Sequence, residues 1–290
     1  MQKNGISLVS ILLFTLMAMP VAQAADVVNV FVSILPQKYL VERIGGDRVH
    51  VEVMVKPGLN AETYEPLPRQ MAALNEADTY FLIGVPFESI WIEKIRAANH
   101  NLRIIDCCHE LLPEGLHSDK HDVDATVMHA YDAHVWTSPR NAIHIADIML
   151  GALTDIDPVA REYYEKNHMA LVLDLNNLDQ FIKEQFTSLS NRYLMVAHPS
   201  WSHFADAYGL TQVALERHGT EIRPRELSGL INFARSNNIH TVYVDKQYNS
   251  ASARLLARET GADIVELDPL AEDYINNLKN VAETIVAGAR

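Results

Sequence analysis

Cysteine is scarce in this sequence: Cys107 and Cys108 are the only two among 290 residues, and they are adjacent. Neighbouring cysteines cannot join distant parts of a fold, and a disulfide between them is strained. A disulfide-stapled scaffold is therefore excluded. The sequence also has no Cys-x-x-Cys motif of the kind that builds a cysteine-rich zinc site. We expect a vicinal pair or free thiols in a loop.

The motifs of several common enzyme classes are missing. The sequence contains no Gly-x-Ser-x-Gly, Gly-x-x-x-x-Gly-Lys, Gly-x-Gly-x-x-Gly or His-Glu-x-x-His. These motifs mark a hydrolase nucleophile, two kinds of phosphate-binding loop and a zinc protease helix. Their absence lowers the expectation of an enzyme.

Basic charge is also lacking, because the sequence has 24 Lys and Arg but 37 Asp and Glu, which gives a net charge of −13. That balance argues against nucleic-acid binding and mildly favours cation traffic.

The N-terminal apolar run is too short for a membrane span. Lys3 precedes an apolar stretch over 6–19 that only Ser and Thr interrupt, whereas a bilayer span needs about 20 residues. Residues 21–24 then carry the small-x-small pattern that signal peptidase accepts. We therefore predict a signal peptide over 1–24, cleavage before Ala25 and a periplasmic mature protein, with an uncleaved anchor as the alternative. No cysteine stands at the cleavage site, so lipid attachment there is excluded.

Strand-like runs alternate with amphipathic helical patterns along most of the chain. This alternation is typical of the α/β class, in which helices cover both faces of parallel sheets. The length of the chain favours two lobes over one core. The strand-like runs are 27–34, 49–55, 79–83, 103–105, 193–197, 241–244 and 263–267.

One segment, 158–189, has no glycine and no strand-like run. Its apolar residues recur at steps of three and four, which predicts one face of a long helix, and Asp157 is a plausible N-cap. Two helices with a kink near Asn176 are the alternative. We predict an N-terminal lobe over 25–156, a connecting helix over 157–190 and a C-terminal lobe over 191–290. The apolar positions are Leu171, Leu175, Leu178, Ile182, Phe186 and Leu189.

A polar segment over 107–133 is rich in histidine and aspartate. Together with His134, which follows it, this part of the chain holds five of its 13 histidines. A flexible loop of imidazoles and carboxylates is typical of a weak metal-collecting segment, but a solvated loop with incidental histidines explains the pattern equally well. The histidines are His109, His117, His121, His129 and His134.

Four side chains suited to metal binding follow strands or lie in loops flanked by proline and aromatic residues. They are Glu62, His134, His198 and Asp268. Ligands of open α/β sheets bind beyond the carboxyl ends of the strands, where His198 and Asp268 are predicted to lie. Spacing alone does not decide the point, because an isolated His-Pro or Asp-Pro is also common in turns and caps.

Several stretches of the sequence match one known family, namely 33–36, 44–47, 57–66, 133–136, 198–201, 204–205 and 267–270. Through them the chain resembles the metal-binding solute-binding proteins of zinc and manganese ABC importers over nearly its whole mature length. The resemblance implies two α/β lobes joined by one long helix, with a single cation in the cleft and two ligands from each lobe. It also implies that His134 and His198 are histidine ligands and that Asp268 is a carboxylate ligand.

The sequence departs from this family at Glu62, where a histidine is usual. Glutamate still binds metals, so we predict Glu62 as the fourth ligand, with Glu65 or His129 as alternatives. Two imidazoles with carboxylates suit four-coordinate Zn²⁺, and Mn²⁺ accepts the same donors.

Zinc is the predicted cargo, and a manganese or iron carrier of the same class is the alternative. We expect a monomer that delivers the ion to a membrane permease. A zinc hydrolase with Glu65 as general base, or an adhesin or storage protein, is a less favoured interpretation.

Overall fold

A computed structural model describes residues 27–111, 132–217, 220–248 and 250–289. The predicted signal peptide and most of the histidine-rich segment, including His129, lie outside these ranges. Within them, no helix combines the length and the apolar character that crossing a membrane requires.

The first sheet has four parallel strands in the order β2-β1-β3-β4. Val30 at the centre of β1 pairs with Val51 on one side and Thr79 on the other. The strands are Val28–Val32 (β1), Val49–Val53 (β2), Thr79–Leu82 (β3) and Arg103–Asp106 (β4), and the helices between them are Leu35–Gly45 (α1), Pro68–Ala73 (α2) and Pro86–Ala98 (α3).

The second sheet is also four-stranded and parallel, in the order β10-β9-β5-β6, and an antiparallel hairpin of β7 and β8 follows β6. The strands are Tyr193–Val196 (β5), Thr211–Ala214 (β6), Glu216–Arg217 (β7), Thr220–Glu221 (β8), Thr241–Asp245 (β9) and Asp263–Leu267 (β10). The predicted α/β class with two parallel-sheet lobes is confirmed. The sequence pattern missed β6, a four-residue edge strand, and the two-residue strands of the hairpin, because such short strands show no periodicity.

Two helices connect the sheets, Pro139–Ile156 (α4) and Arg161–Phe186 (α5), with a single 3-10 turn at Pro158–Ala160 between them. The helix α5 runs through Asn176 without a break, so the two-helix alternative is wrong. Five of the six apolar positions that predicted its inner face are buried, and only Leu189 lies beyond the end of the helix.

The remaining helices are Ser202–Tyr208 (α6), Pro224–Ser236 (α7), Ala251–Thr260 (α8) and Tyr274–Gly288 (α9).

Asp157 is not the side-chain cap that the sequence predicted. Its carboxylate instead accepts hydrogen bonds from Arg48 at 2.5 Å and from Tyr164 at 2.9 Å. Arg48 is a stronger donor than a backbone N–H because it is charged. Asp157 therefore ties the start of the connecting segment to the 3-10 turn Gly46–Arg48 that follows α1.

The two lobes share a hydrophobic core, and a second, smaller cluster lies within the C-terminal lobe. Residues of both sheets pack with the inner face of α5 in a single hydrophobic cluster. Trp136 joins the lobes directly, because its indole N–H donates to the Pro269 carbonyl at 2.7 Å and its own carbonyl accepts from the Tyr274 hydroxyl at 2.6 Å. This packing fixes the cleft between the two sheets, where the candidate ligands lie.

Candidate metal centre

Three of the four predicted ligands come together. Glu62, His134 and His198 each offer one donor atom, and these atoms lie within 4.8 Å of one another. Glu62 lies in the loop between β2 and α2, His134 immediately precedes a 3-10 turn at Val135–Thr137, and His198 follows β5 by two residues. Loops from both lobes thus converge on one point.

The loop of Glu62 is held by a local hydrogen bond. The Glu62 backbone N–H donates to the Asn60 side-chain oxygen at 2.7 Å, which closes an Asx turn. Burial opposes ionisation of the Glu62 carboxyl, but the nearby His198 ring, with smaller effects of His134 and Tyr248, outweighs burial and lowers the pKa of Glu62. Glu62 is therefore an ionised, acceptor-only side chain at the centre of the cleft.

His134 is oriented by a carboxylate two residues before it. Its Nδ1 lies 2.5 Å from Asp132 Oδ1, and the other Asp132 oxygen accepts hydrogen bonds from the Ser202 N–H and hydroxyl at 3.0 and 2.5 Å. Burial alone would raise the pKa of Asp132, but His134 and Ser202 hold it well below its usual value. With Nδ1 engaged, Nε2 is the ring nitrogen of His134 that is available to a metal.

His198 shows the same arrangement with a different partner. Its Nδ1 lies 2.6 Å from Glu216 Oε2, and its Nε2 lies 3.1 Å from Glu62 Oε1. The second contact is short but lacks hydrogen-bond geometry, so Nε2 is a buried nitrogen without a hydrogen-bond partner in the described part of the chain. Such an atom is costly unless a ligand satisfies it. Burial disfavours the charged ring, yet Glu216 and then Glu62 outweigh burial and raise the pKa of His198 to about 10.

The residues after His198 anchor its turn to the second sheet. The Ser200 hydroxyl and the Trp201 indole N–H donate to the two oxygens of Asp245 at 2.6 and 3.2 Å. Asp245 is buried at the end of β9, and burial, despite those donors and the nearby histidines, raises its pKa. The motif 198–201 thus combines a candidate ligand with its own structural support.

Asp268 lies outside the three-residue group. It follows β10, and its Oδ1 accepts hydrogen bonds from Gln247 Nε2 at 2.8 Å and from the Leu270 N–H at 2.9 Å. Its role as a ligand stays a prediction. Of the alternatives to Glu62, Glu65 is solvent-exposed and is absent from the group, and His129 lies outside the described residues.

Sequence reasoning missed four residues that contact or support the candidate ligands, namely Asp132, Glu216, Asp245 and Tyr248. Asp132 had a readable signal, because an acidic residue two positions before a histidine is placed to orient its ring. Glu216 had none, since 18 positions separate it from His198.

The donor set fits a zinc ion. Zn²⁺ is bound by imidazole nitrogens and carboxylate oxygens in four-coordinate sites, and ligating histidines usually pair their second nitrogen with a carboxylate. His134 and His198 both have such a partner. With Glu62 the cleft offers three candidate protein ligands, and a four-coordinate ion would take one more.

Comparison with known proteins identifies the family of the chain. Residues 30–288 match the family model described as zinc-uptake complex component A, periplasmic, or ZnuA. Two crystal structures of ZnuA, one of them a deletion mutant with zinc bound, have TM-scores of 0.84 and 0.82, share 38% identity, and align with 91% of this chain and 100% and 98% of theirs.

Relatives with other names are more distant. A metal-binding protein of Chlamydia trachomatis is 30% identical over 255 residues, which cover 88% of this chain and 89% of its own. The manganese-binding lipoprotein MntA of Halalkalibacterium halodurans is 23% identical over 262 residues, or 86% and 84% of the two chains. The chain belongs to the ZnuA family of metal-binding solute-binding proteins of ABC importers.

Proposed function

We propose that this protein captures a single zinc ion in the periplasm and delivers it to an ABC-type membrane importer. The observation that carries the proposal is the convergence of Glu62, His134 and His198 in the interlobe cleft, with a carboxylate on Nδ1 of each histidine. Ligands oriented in this way bind a metal without first having to be ordered.

Zinc is favoured over manganese by the chemistry of the donors. Imidazole suits zinc, whereas manganese prefers carboxylate and carbonyl oxygens, and zinc stands above manganese in the general order of divalent affinities. The site-facing nitrogens of two histidines therefore support zinc. The alternative cargo is manganese or iron, which Glu62 in place of the usual histidine and a relative named as manganese-binding both keep open.

A carrier fits the site better than a zinc hydrolase does. A hydrolase needs a general base beside a metal-bound water, and Glu65, the residue considered for that role, is exposed and absent from the ligand group.

We further propose that residues 1–24 are a signal peptide that is removed on secretion. We also propose that the mature protein is a monomer and that its partner is the permease of the importer.

Metal analysis of the mature, metal-stripped chain tests the proposal. We expect one zinc ion per chain after dialysis against equimolar zinc, manganese and iron(II). The zinc affinity of His134→Ala and of His198→Ala should fall by more than the roughly 10–100-fold effect of losing an outer-shell partner. His50→Ala is the matched control, because His50 is exposed on β2 away from the site. A wild-type chain that binds no metal, or equal losses in all three variants, would contradict the proposal.

A further inference from the structure

Asp132 is held in place by the segment that follows β5 of the second sheet. The Ser202 N–H and hydroxyl donate to Asp132 Oδ2 at 3.0 and 2.5 Å, and His203 Nε2 lies 2.9 Å from the Asp132 backbone carbonyl oxygen. A carbonyl can only accept, so Nε2 is the donor. Asp132 precedes the 3-10 turn that leads into α4, and these three hydrogen bonds therefore join parts of the chain that are 70 and 71 positions apart.

The two carboxylate oxygens of Asp132 have different partners. Oδ1 accepts from the His134 N–H at 2.8 Å and lies 2.5 Å from His134 Nδ1, whereas Oδ2 accepts from Ser202. A carboxylate bound at one oxygen only can still turn about its Cβ–Cγ bond, because the energy profile of this torsion is broad. With both oxygens engaged, the plane of the carboxylate is fixed, and the orientation of the His134 ring is fixed with it.

Burial increases the importance of these contacts. The Asp132 side chain is only 10% exposed and that of His134 only 13%, so little water can replace a lost hydrogen bond. A buried charged group that loses a donor pays a larger penalty than a neutral one. Without Ser202, the Asp132 carboxylate would turn towards other donors, and His134 would lose its fixed orientation.

The segment 198–203 that holds Asp132 also carries His198. The Nδ1 partner of His198 is Glu216 in the hairpin of β7 and β8, so the support of this ring does not involve Asp132. The rings of His134 and His198 are nearly perpendicular, at 80°, with 5.4 Å between their centroids. One short segment therefore contains one candidate ligand and holds the carboxylate that orients the other.

We propose that Ser202 and His203 are positioning residues of the metal site, which act through Asp132 to direct Nε2 of His134 at the ion. The inference rests on the proposed function, because it concerns the same ion. Neither residue belongs to the ligand group, and both act on His134 from outside it. With His134 already oriented, the site binds zinc without the loss of affinity that ordering a free side chain would cause.

Replacement of the Ser202 hydroxyl tests the first contact. We expect Ser202→Ala to lower zinc affinity about tenfold, the lower end of the effect of an outer-shell partner, and Ser202→Thr, which keeps a hydroxyl, to stay close to the wild type. Competition against a chromophoric zinc chelator measures both variants. Ser228→Ala is the matched control, because the Ser228 hydroxyl donates to the Pro224 carbonyl at 3.0 Å in α7. Wild-type affinity in Ser202→Ala, or equal losses in Ser202→Ala and Ser202→Thr, would overturn the inference.

Two substitutions of His203 test the second contact. Glutamine can place an amide N–H close to the position of histidine Nε2, whereas phenylalanine keeps a ring without a donor. We expect His203→Phe to lower zinc affinity by about tenfold and His203→Gln to stay close to the wild type. His240→Phe is the control, because His240 is exposed at the opposite end of the second sheet. Equal losses in His203→Phe and His203→Gln would overturn the role of His203.

A double-mutant cycle shows whether Ser202 acts through Asp132. Without the carboxylate the hydroxyl has nothing to hold, so Ser202→Ala should have no further effect on zinc affinity in Asp132→Ala. In Glu216→Ala, which removes the support of the other histidine, Ser202→Ala should keep its full effect. A purely structural role of Ser202 would give the same loss in every background, and that result would overturn the inference.

The wild type separates this inference from the proposed function. A wild-type chain that binds no zinc would refute the proposed function itself. Tight zinc binding by the wild type, with no loss in Ser202→Ala or His203→Phe, would refute the positioning roles alone.

Discussion

The Nδ1 atom of His198 lies 2.6 Å from Glu216 Oε2, and this contact directs Nε2 of the same ring towards Glu62. In carboxylate–histidine–metal arrangements such a carboxylate fixes both the orientation of the ring and its tautomer. Glu216 belongs to β7, so a short hairpin of the C-terminal lobe supports a candidate ligand that follows β5.

Removal of this support should weaken metal binding without removing a ligand. We expect Glu216→Ala to lower zinc affinity by about 10–100-fold, and Glu216→Gln to lower it less, because the amide oxygen still accepts from Nδ1. Calorimetric titration with zinc measures both variants. The exposed Glu266 on β10 provides the control, and a loss in Glu266→Ala equal to that in Glu216→Ala would show that the effect is one of net charge.

Zinc binding should release a proton well above neutral pH. In the metal-free protein Glu216 and Glu62 raise the pKa of His198 to about 10 against the cost of burial, whereas a metal requires the neutral ring. Between pH 7 and 9 zinc affinity should therefore rise by up to about tenfold per pH unit from this group alone. Titration in buffers of different ionisation enthalpy counts the protons released. An affinity that is flat over this range with no proton release would contradict the prediction.

The same raised pKa makes His198 a source of stability for the metal-free fold. A group whose folded pKa is raised contributes fully below its unfolded value, near 6.5, and loses that contribution as pH rises towards about 10. Denaturant unfolding of the metal-free wild type should accordingly show a decline in the free energy of unfolding between these pH values. The His198→Ala variant should lack that component of the decline, and the same decline in both proteins would argue against it.

Substitutions at Glu62 test whether the departure from the usual histidine is functional. If Glu62 binds the ion, Glu62→Ala should lose much of the zinc affinity, while Glu62→His should keep or increase it and shift preference away from manganese, since imidazole favours zinc. Zinc and manganese affinities on one metal-free preparation measure both effects. A Glu62→Ala variant close to wild type, with the loss carried by Glu65→Ala or His129→Ala, would remove Glu62 from the ligand set.

Asp268 offers a separate test, because its carboxylate is bound by Gln247 at 2.8 Å and not by the ligand group. Both hydrogen bonds to Asp268 end on Oδ1, so if Asp268 supplies the fourth ligand, Gln247 can hold its carboxylate while Oδ2 binds the metal. We then expect Asp268→Ala to weaken zinc binding strongly and Gln247→Ala to weaken it less, since Gln247 would be an outer-shell partner. Equal affinities of Asp268→Ala and the wild type would place Asp268 outside the coordination sphere, and Gln247→Ala should then have no effect either.

The sequence by itself determined the class of fold and the approximate place of the site. Alternation of strand-like and helical patterns predicted two parallel sheets, and the three- and four-residue spacing of 171–186 predicted the connecting helix, because both periodicities are properties of a short stretch of backbone. His134 and His198 were predicted as ligands from the resemblance to a family, which could be read because each stands in a compact motif that also contains the residues around its turn.

Only the tertiary structure decided how these ligands are supported and which groups meet across the cleft. The contact between Tyr248 and Asn60 joins residues 188 positions apart, and the pairing of Glu216 with His198 depends on the hairpin that follows β6. Hydrogen bonding fails within a few tenths of an ångström of its preferred distance. Whether such pairs form is therefore set by the packing of two lobes on one shared core, which no local pattern of residues encodes.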